Sequence, residues 1–91
     1  GEIDLAINKK QALQKLAHHT YDLIILDMML PDGSAKEILP YIKEQYPSTP
    51  IILFSAEEVD QKLKMQVSET LIKSRTSNKL LVDTIKKILT H

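Results

Sequence analysis

Three polar residues in this 91-residue chain each directly follow a short apolar run: Asp27 after Leu23-Ile24-Ile25-Leu26, Ser55 after Ile51-Ile52-Leu53-Phe54, and Lys73 after Leu71-Ile72. Short apolar runs alternating with amphipathic stretches read as parallel strands joined by crossover helices. In an open parallel sheet the positions just beyond the carboxyl ends of the strands border one crevice. A carboxylate, a hydroxyl and an ammonium are therefore expected to converge there. Taken singly, each has a plainer reading: the Asp as a turn cap, the Ser as turn chemistry, the Lys as a solvated cation. Asp32 and Ser34 are better placed for capping, and the recurrence at three successive strand ends favours chemistry. The set suits phosphoryl transfer, in which a carboxylate is the nucleophile and forms an acyl phosphate. The cation and the hydroxyl would meet the negative charge spread over the transferred oxygens. A phosphorylated Asp27 would draw Ser55 inward and move its loop.

The elements that must position these groups follow from pattern and punctuation. A half-buried strand is expected over residues 3–7, then a helix over about 10–18 with Ala12, Leu13, Leu16 and Ala17 on its inner face. The apolar run over 21–26 suits a strand covered on both faces. Pro31-Asp32-Gly33-Ser34 breaks the chain, and Ser34 with Glu37 forms a capping box opening a helix to about Tyr46, with Ile38, Ile42 and Tyr46 inward. Pro40 inside that helix removes one backbone bond and predicts a bend. Pro47 and Pro50 close it before a central strand over 51–54. A weakly amphipathic, helical segment over 57–67 and a short strand over 70–72 follow. Thr76 or Ser77 caps a last helix whose Leu81, Ile85 and Ile88 face inward, with Lys86 and Lys87 near its C-terminal dipole.

Composition bounds the function. Twelve Lys and Arg balance twelve Asp and Glu, so no cationic field draws the chain directly to nucleic acid or to a membrane surface. The absence of cysteine excludes disulfides and thiolate chemistry and fits a cytoplasmic location. Apolar runs of four residues fall far short of the roughly 20 that span a bilayer. With Gly1 and Gly33 as its only glycines, the chain has no glycine-rich phosphate cradle. His18 and His19 are adjacent, diverge on a helix, and read as solvated spectators. Asp27-Met28-Met29 lacks the second aspartate, two positions on, that aspartate-nucleophile phosphatases use as general acid. Tyr21, Tyr41 and Tyr46 are scattered and read as edge packing.

The run Tyr21-Asp22-Leu23-Ile24-Ile25-Leu26-Asp27-Met28-Met29-Leu30-Pro31-Asp32-Gly33-Ser34 resembles the phosphoacceptor strand and following loop of bacterial two-component receiver domains, with proline four residues after the aspartate. Ile51 to Ala56 resembles the family's switch strand, and Leu71-Ile72-Lys73-Ser74-Arg75 its lysine strand. The resemblance implies an α/β, flavodoxin-like fold of three layers around a parallel sheet. It implies a phosphoprotein rather than an enzyme, with Asp27 accepting phosphate from a histidine kinase or histidine phosphotransfer protein, Ser55 as the switch hydroxyl and Lys73 binding phosphoryl oxygens. Asp27 and the Met29 backbone carbonyl would be ligands of Mg²⁺. The run Lys73-Ser74-Arg75-Thr76-Ser77 is similar to receivers carried by hybrid histidine kinases.

Departures from that pattern carry expectations of their own. Residues 1–91 read as a single receiver domain that opens at the family's second strand, N-terminally truncated, without the paired acids that hold the metal. Mg²⁺ prefers near-octahedral oxygen ligation with a carboxylate or two, so it is expected to bind weakly or not at all. An absent first strand would leave backbone edges unpaired, inviting a homodimer or a strand swap. Ser74 stands where the family has proline, and Thr70 where it has the switch aromatic. Ser55 and Lys73 are only 18 positions apart, which predicts a short or irregular intervening helix. The alternative reading is a pseudo-receiver, an interaction module without phosphotransfer.

Overall fold

Apolar, β-branched residues build the sheet, and proline sets where it starts. The structure, a computed structural model, describes residues 8–90; the strand expected over residues 3–7 lies outside the described residues. Helix α1 (Lys9–His18) leads to strand β1 (Ile24–Asp27), followed by a small hairpin of β2 (Met29–Leu30) and β3 (Gly33–Ser34). Helix α2 (Ala35–Gln45), strand β4 (Ile51–Ser55), the single turn α3 (Gln61–Lys64), strand β5 (Glu69–Ile72), a 3₁₀ turn (Lys73–Arg75) and helix α4 (Asn78–Leu89) complete the order. Among the described residues β1, β4 and β5 form one parallel sheet in the order β1-β4-β5.

The first strand begins at Ile24 and not at Tyr21 as the apolar run predicts. The Ile24 N–H bonds the Pro50 carbonyl at 3.0 Å, and Pro50 has no N–H of its own, so the ladder can open only at Ile51 and its partner Ile24. At the other end the Met28 N–H reaches the Phe54 carbonyl at 2.7 Å, which carries pairing through Asp27 and brings Ser55 into β4 as its last residue. Alternation then sorts the faces. Leu26, Ile51 and Leu53 join Ala35, Ile38, Leu39 and Ile42 of α2 and Leu16 of α1 in one buried cluster. Ile52 and Leu71, also buried, belong to the opposite face.

Helix α2 keeps the predicted inner positions Ile38 and Ile42, adds Ala35 and Leu39, and runs unbroken through Pro40, which is exposed. The expected bend does not end the helix, because the proline sits on the solvent side. Tyr46, half-buried at its end, donates its hydroxyl to the Leu16 and His19 carbonyls and so ties the end of α2 to that of α1. The helix expected over 57–67 shrinks to α3, capped by Asp60, whose carboxylate accepts from Leu63 N at 2.8 Å. Leu63 is the only buried residue on that turn, so little burial favours extending it. Ser77, not Thr76, caps α4. Leu81, Ile85 and Ile88 are only half-buried, and Leu80, Val82 and Leu89 are exposed.

Leu53 is fully buried in the middle strand. Leu53→Ala is expected to cost about 2–5 kcal/mol, a large share of the roughly 5–15 kcal/mol that holds a domain together. Urea unfolding should show a lowered midpoint at nearly unchanged slope.

No described strand pairs with the outer edge of β1, and Ile25 there is 45% exposed. A groove of about 490 Å³ runs between that edge and α1, past Leu16, Tyr21 and Leu23, and reaches Asp27 and Lys73 at the carboxyl end of the sheet.

Candidate functional site

Strand order decides which side chains can meet. Asp27 ends β1, Ser55 ends β4, and Lys73 follows β5, with Asp27 opposite Phe54 and Ser55 opposite Ile72. The three predicted residues thus occupy the same edge of three neighbouring strands. Lys73 starts the 3₁₀ turn and spans the end of β4 to reach Asp27, its Nζ 2.7 Å from Oδ2. The two side chains are 48% and 40% exposed. An ion pair so open to water contributes only about 0–1 kcal/mol to stability.

The other carboxylate oxygen is also fixed. Oδ1 of Asp27 accepts the Met29 N–H at 3.1 Å, a local turn contact typical of Asp. Met29 thus meets Asp27 through its amide. The resemblance to receivers implies its carbonyl as a metal ligand.

Ser55 is 6% exposed, and its hydroxyl is engaged locally, donating to the Glu57 carbonyl at 2.5 Å and accepting from Glu57 N at 3.2 Å. Two of the three predicted groups are therefore in contact, while the third shares their edge but turns to its own loop. The peptide bonds among the described residues are trans, including the one at Ser74.

The donor set can be tested against Mg²⁺. Among the described residues no three Asp, Glu, His or Cys side chains gather into a metal-holding group. Asp27 is, among the described residues, the one carboxylate that ends a sheet strand at its carboxyl edge, and a lysine already bonds it. Those residues do not fit an ion that wants near-octahedral oxygen ligation with one or two carboxylates.

A second cluster, which sequence reasoning sees only as a turn, lies beside the first. The Asp32 carboxylate accepts the Lys9 N–H at 2.6 Å and the Lys10 N–H at 3.2 Å. Asn8 takes the next two, Gln11 N at 2.8 Å through its side chain and Ala12 N at 3.1 Å through its carbonyl. All four amides of the first turn of α1 are thereby satisfied. Glu37 accepts from Ser34 N at 2.7 Å and from Lys9 Nζ at 3.2 Å. The only sequence signals were Ser34 with Glu37 and the turn residues Pro31-Asp32-Gly33. That Asp32 would reach α1, 23 positions away, is a tertiary fact.

These bonds depress two acids. The Lys9 backbone N–H holds the Asp32 carboxyl below its ordinary 3.8, and the Ser34 backbone N–H, then the Lys9 side chain, hold Glu37 below its ordinary 4.5. A carboxyl depressed in the folded state stabilises it above the unfolded value, and the contribution disappears as pH falls through the folded value. Melting temperature should therefore be flat down to about pH 5 and fall on further acidification. The fall should be shallower in Asp32→Asn and Glu37→Gln. Both acids are solvent-exposed, so added salt should shrink the effect.

Comparison with known proteins gives concordant matches. The model of the response regulator receiver domain family matches residues 2–85. Response regulator protein PilR of Pseudomonas aeruginosa is 41% identical over 51 residues, 56% of this chain and 12% of its own length. Transcriptional regulatory protein CitT of Bacillus subtilis is 30% identical over 81 residues, 85% of this chain and 36% of its own. The chain thus spans only a minor part of these curated relatives. Among solved structures, response regulator protein TrrA of Thermotoga maritima, in complex with Mg²⁺-BeF, superimposes with a TM-score of 0.81 at 32% identity, covering 97% of this chain and 77% of that one. A CheY-like receiver domain protein from Methanospirillum hungatei gives 0.86 at 20% identity, over 98% and 74% of the two chains, which speaks to fold alone.

Proposed function

Because this chain belongs to the response regulator receiver domain family and has its flavodoxin-like fold, we propose that it takes up a phosphoryl group on Asp27 and relays that state by moving the Ser55 loop. The observation that carries this reading is the Lys73 ammonium held 2.7 Å from the Asp27 carboxylate across the end of the intervening strand. The donor is a histidine kinase or a histidine phosphotransfer protein. The phosphorus–nitrogen bond of its phosphohistidine breaks, the electron pair passing to the imidazole nitrogen, while a new phosphorus–oxygen bond forms to Asp27. Lys73 stabilises the charge on the transferred oxygens. The chain acts as a phosphoacceptor, not as an enzyme with turnover.

Ser55 supplies the response. Its hydroxyl starts on the Glu57 carbonyl, and a phosphoryl group on the neighbouring strand end offers a charged acceptor, to which hydrogen bonds are roughly twice as strong. Exchanging one partner for the other would shift residues 56–60. Among the described residues no helix is long and apolar enough to cross a membrane, and we assign the chain to the cytoplasm.

A second reading, an interaction module without phosphotransfer, is favoured by the absence among the described residues of a group of three His, Cys, Asp or Glu able to hold a metal. Incubation with acetyl phosphate in magnesium buffer, followed by intact-mass measurement, separates the two. The phosphoacceptor reading expects the mass of one phosphoryl group, removed by hydroxylamine as an acyl phosphate should be. No gain in mass with either acetyl phosphate or a phosphorylated histidine phosphotransfer protein would favour the interaction module.

A further inference from the structure

We propose that Asp32 is a positioning residue for Asp27, clamping the β2–β3 hairpin to the first turn of α1 so that the Met29 N–H stays on the Asp27 carboxylate. The inference rests on the phosphoacceptor reading for its functional consequence, though the clamp itself does not. Met29, the first residue of the hairpin, holds Oδ1 of Asp27 at 3.1 Å. The ladder behind it has two residue pairs, Met29 with Ser34 and Leu30 with Gly33. A hairpin this short has no independent stability, so its place in the fold depends on its anchors.

Those anchors sit at both ends. At the base, the Ala35 N–H bonds the Met28 carbonyl at 2.9 Å. At the tip, Asp32 accepts two amides of α1. The first turn of α1 has no acidic residue of its own, so Asp32 also supplies the negative charge that the amino end of the helix dipole favours. Gly33 makes the approach close. A Cβ there would lie 2.5 Å from Oε2 of Glu37 and 3.1 Å from Cδ of Lys9, and Glu37 cannot give way without loosening its bonds to Ser34 N and Lys9 Nζ. Asp32 touches neither Asp27 nor Lys73 in any described contact; it acts through the hairpin.

The test compares two variants that each remove a cap from α1. Asp32→Ala releases the hairpin tip, whereas Asn8→Ala removes the bond to Gln11 N and leaves the hairpin clamped. Amide hydrogen exchange should accelerate at Met29 by about tenfold or more in Asp32→Ala and stay unchanged in Asn8→Ala. With acetyl phosphate as donor and acetate as leaving group, the maximal rate of phosphoryl uptake should fall about tenfold to a hundredfold in Asp32→Ala, at an unchanged half-saturating donor concentration. Asp32→Asn, which keeps one acceptor oxygen, should recover part of both effects, and it serves if the alanine variant does not fold. Met29 exchange unaltered in Asp32→Ala, or accelerated equally in Asn8→Ala, would overturn the proposal. A wild-type protein that gains no phosphoryl group counts against the phosphoacceptor reading instead, and Met29 exchange still decides the clamp.

Discussion

Asp27→Asn is expected to take up no phosphoryl group under conditions in which the wild-type chain gains one. The substitution keeps the shape of the side chain and an oxygen able to accept the Met29 N–H now bonded at 3.1 Å, but an amide oxygen is not the nucleophile that a carboxylate is. The Lys73 pair disappears with the charge. Because that pair is about half exposed, its loss changes stability by no more than about 1 kcal/mol, and the variant should melt within a few degrees of the parent. Intact-mass measurement therefore separates a chemical defect from a folding defect. Retained uptake by Asp27→Asn would move the acceptor elsewhere and remove the main support for the function. Relatives such as PilR and CitT are matched over 12% and 36% of their lengths.

The parts of this site that were legible in the sequence are those governed by periodicity and strand ends. Ile51 to Phe54 announces a buried strand and Leu23 to Leu26 a strand, though not one covered on both faces, since Ile25 is exposed; the rule that crossovers leave from the carboxyl edge brings Asp27, Ser55 and Lys73 to one edge without any coordinates. The parts that were not legible are governed by single hydrogen bonds. Nothing in the Ser55-Ala56-Glu57 tripeptide says whether the hydroxyl faces the crevice or its own loop, because both sides offer acceptors, and the structure places it on Glu57. The Met29 amide on Asp27 is a contact of this kind, which no spacing in the sequence announces. Pro31-Asp32-Gly33-Ser34 reads as a plain break although its Asp32-Gly33 pair is a hairpin signal, because the two-residue strands beside it are too short to show any alternation. The over-long helix at 57–67 has a different origin, since apolar spacing predicts a face but not how much core is available for it to cover.

Lys73→Ala should slow phosphoryl uptake by about a hundredfold to a thousandfold, the loss seen when one preorganised electrostatic partner of a developing charge is removed. In the resting chain Nζ lies 2.7 Å from Oδ2 of Asp27, which places the cation where the oxygens of an incoming phosphoryl group would gather. It needs no large movement, since it already spans the end of β4 from the start of the 3₁₀ turn. Removing it leaves the nucleophile intact and the fold nearly unchanged, so uptake should persist at a reduced rate rather than vanish. Lys73→Arg should fall between the two, because guanidinium keeps the charge but replaces a compact ammonium by a planar fork. Initial rates from acetyl phosphate, followed by intact mass at a fixed donor concentration, give all three values. A Lys73→Ala rate equal to the wild type would mean that the ion pair with Asp27 is a surface contact with no part in the transfer.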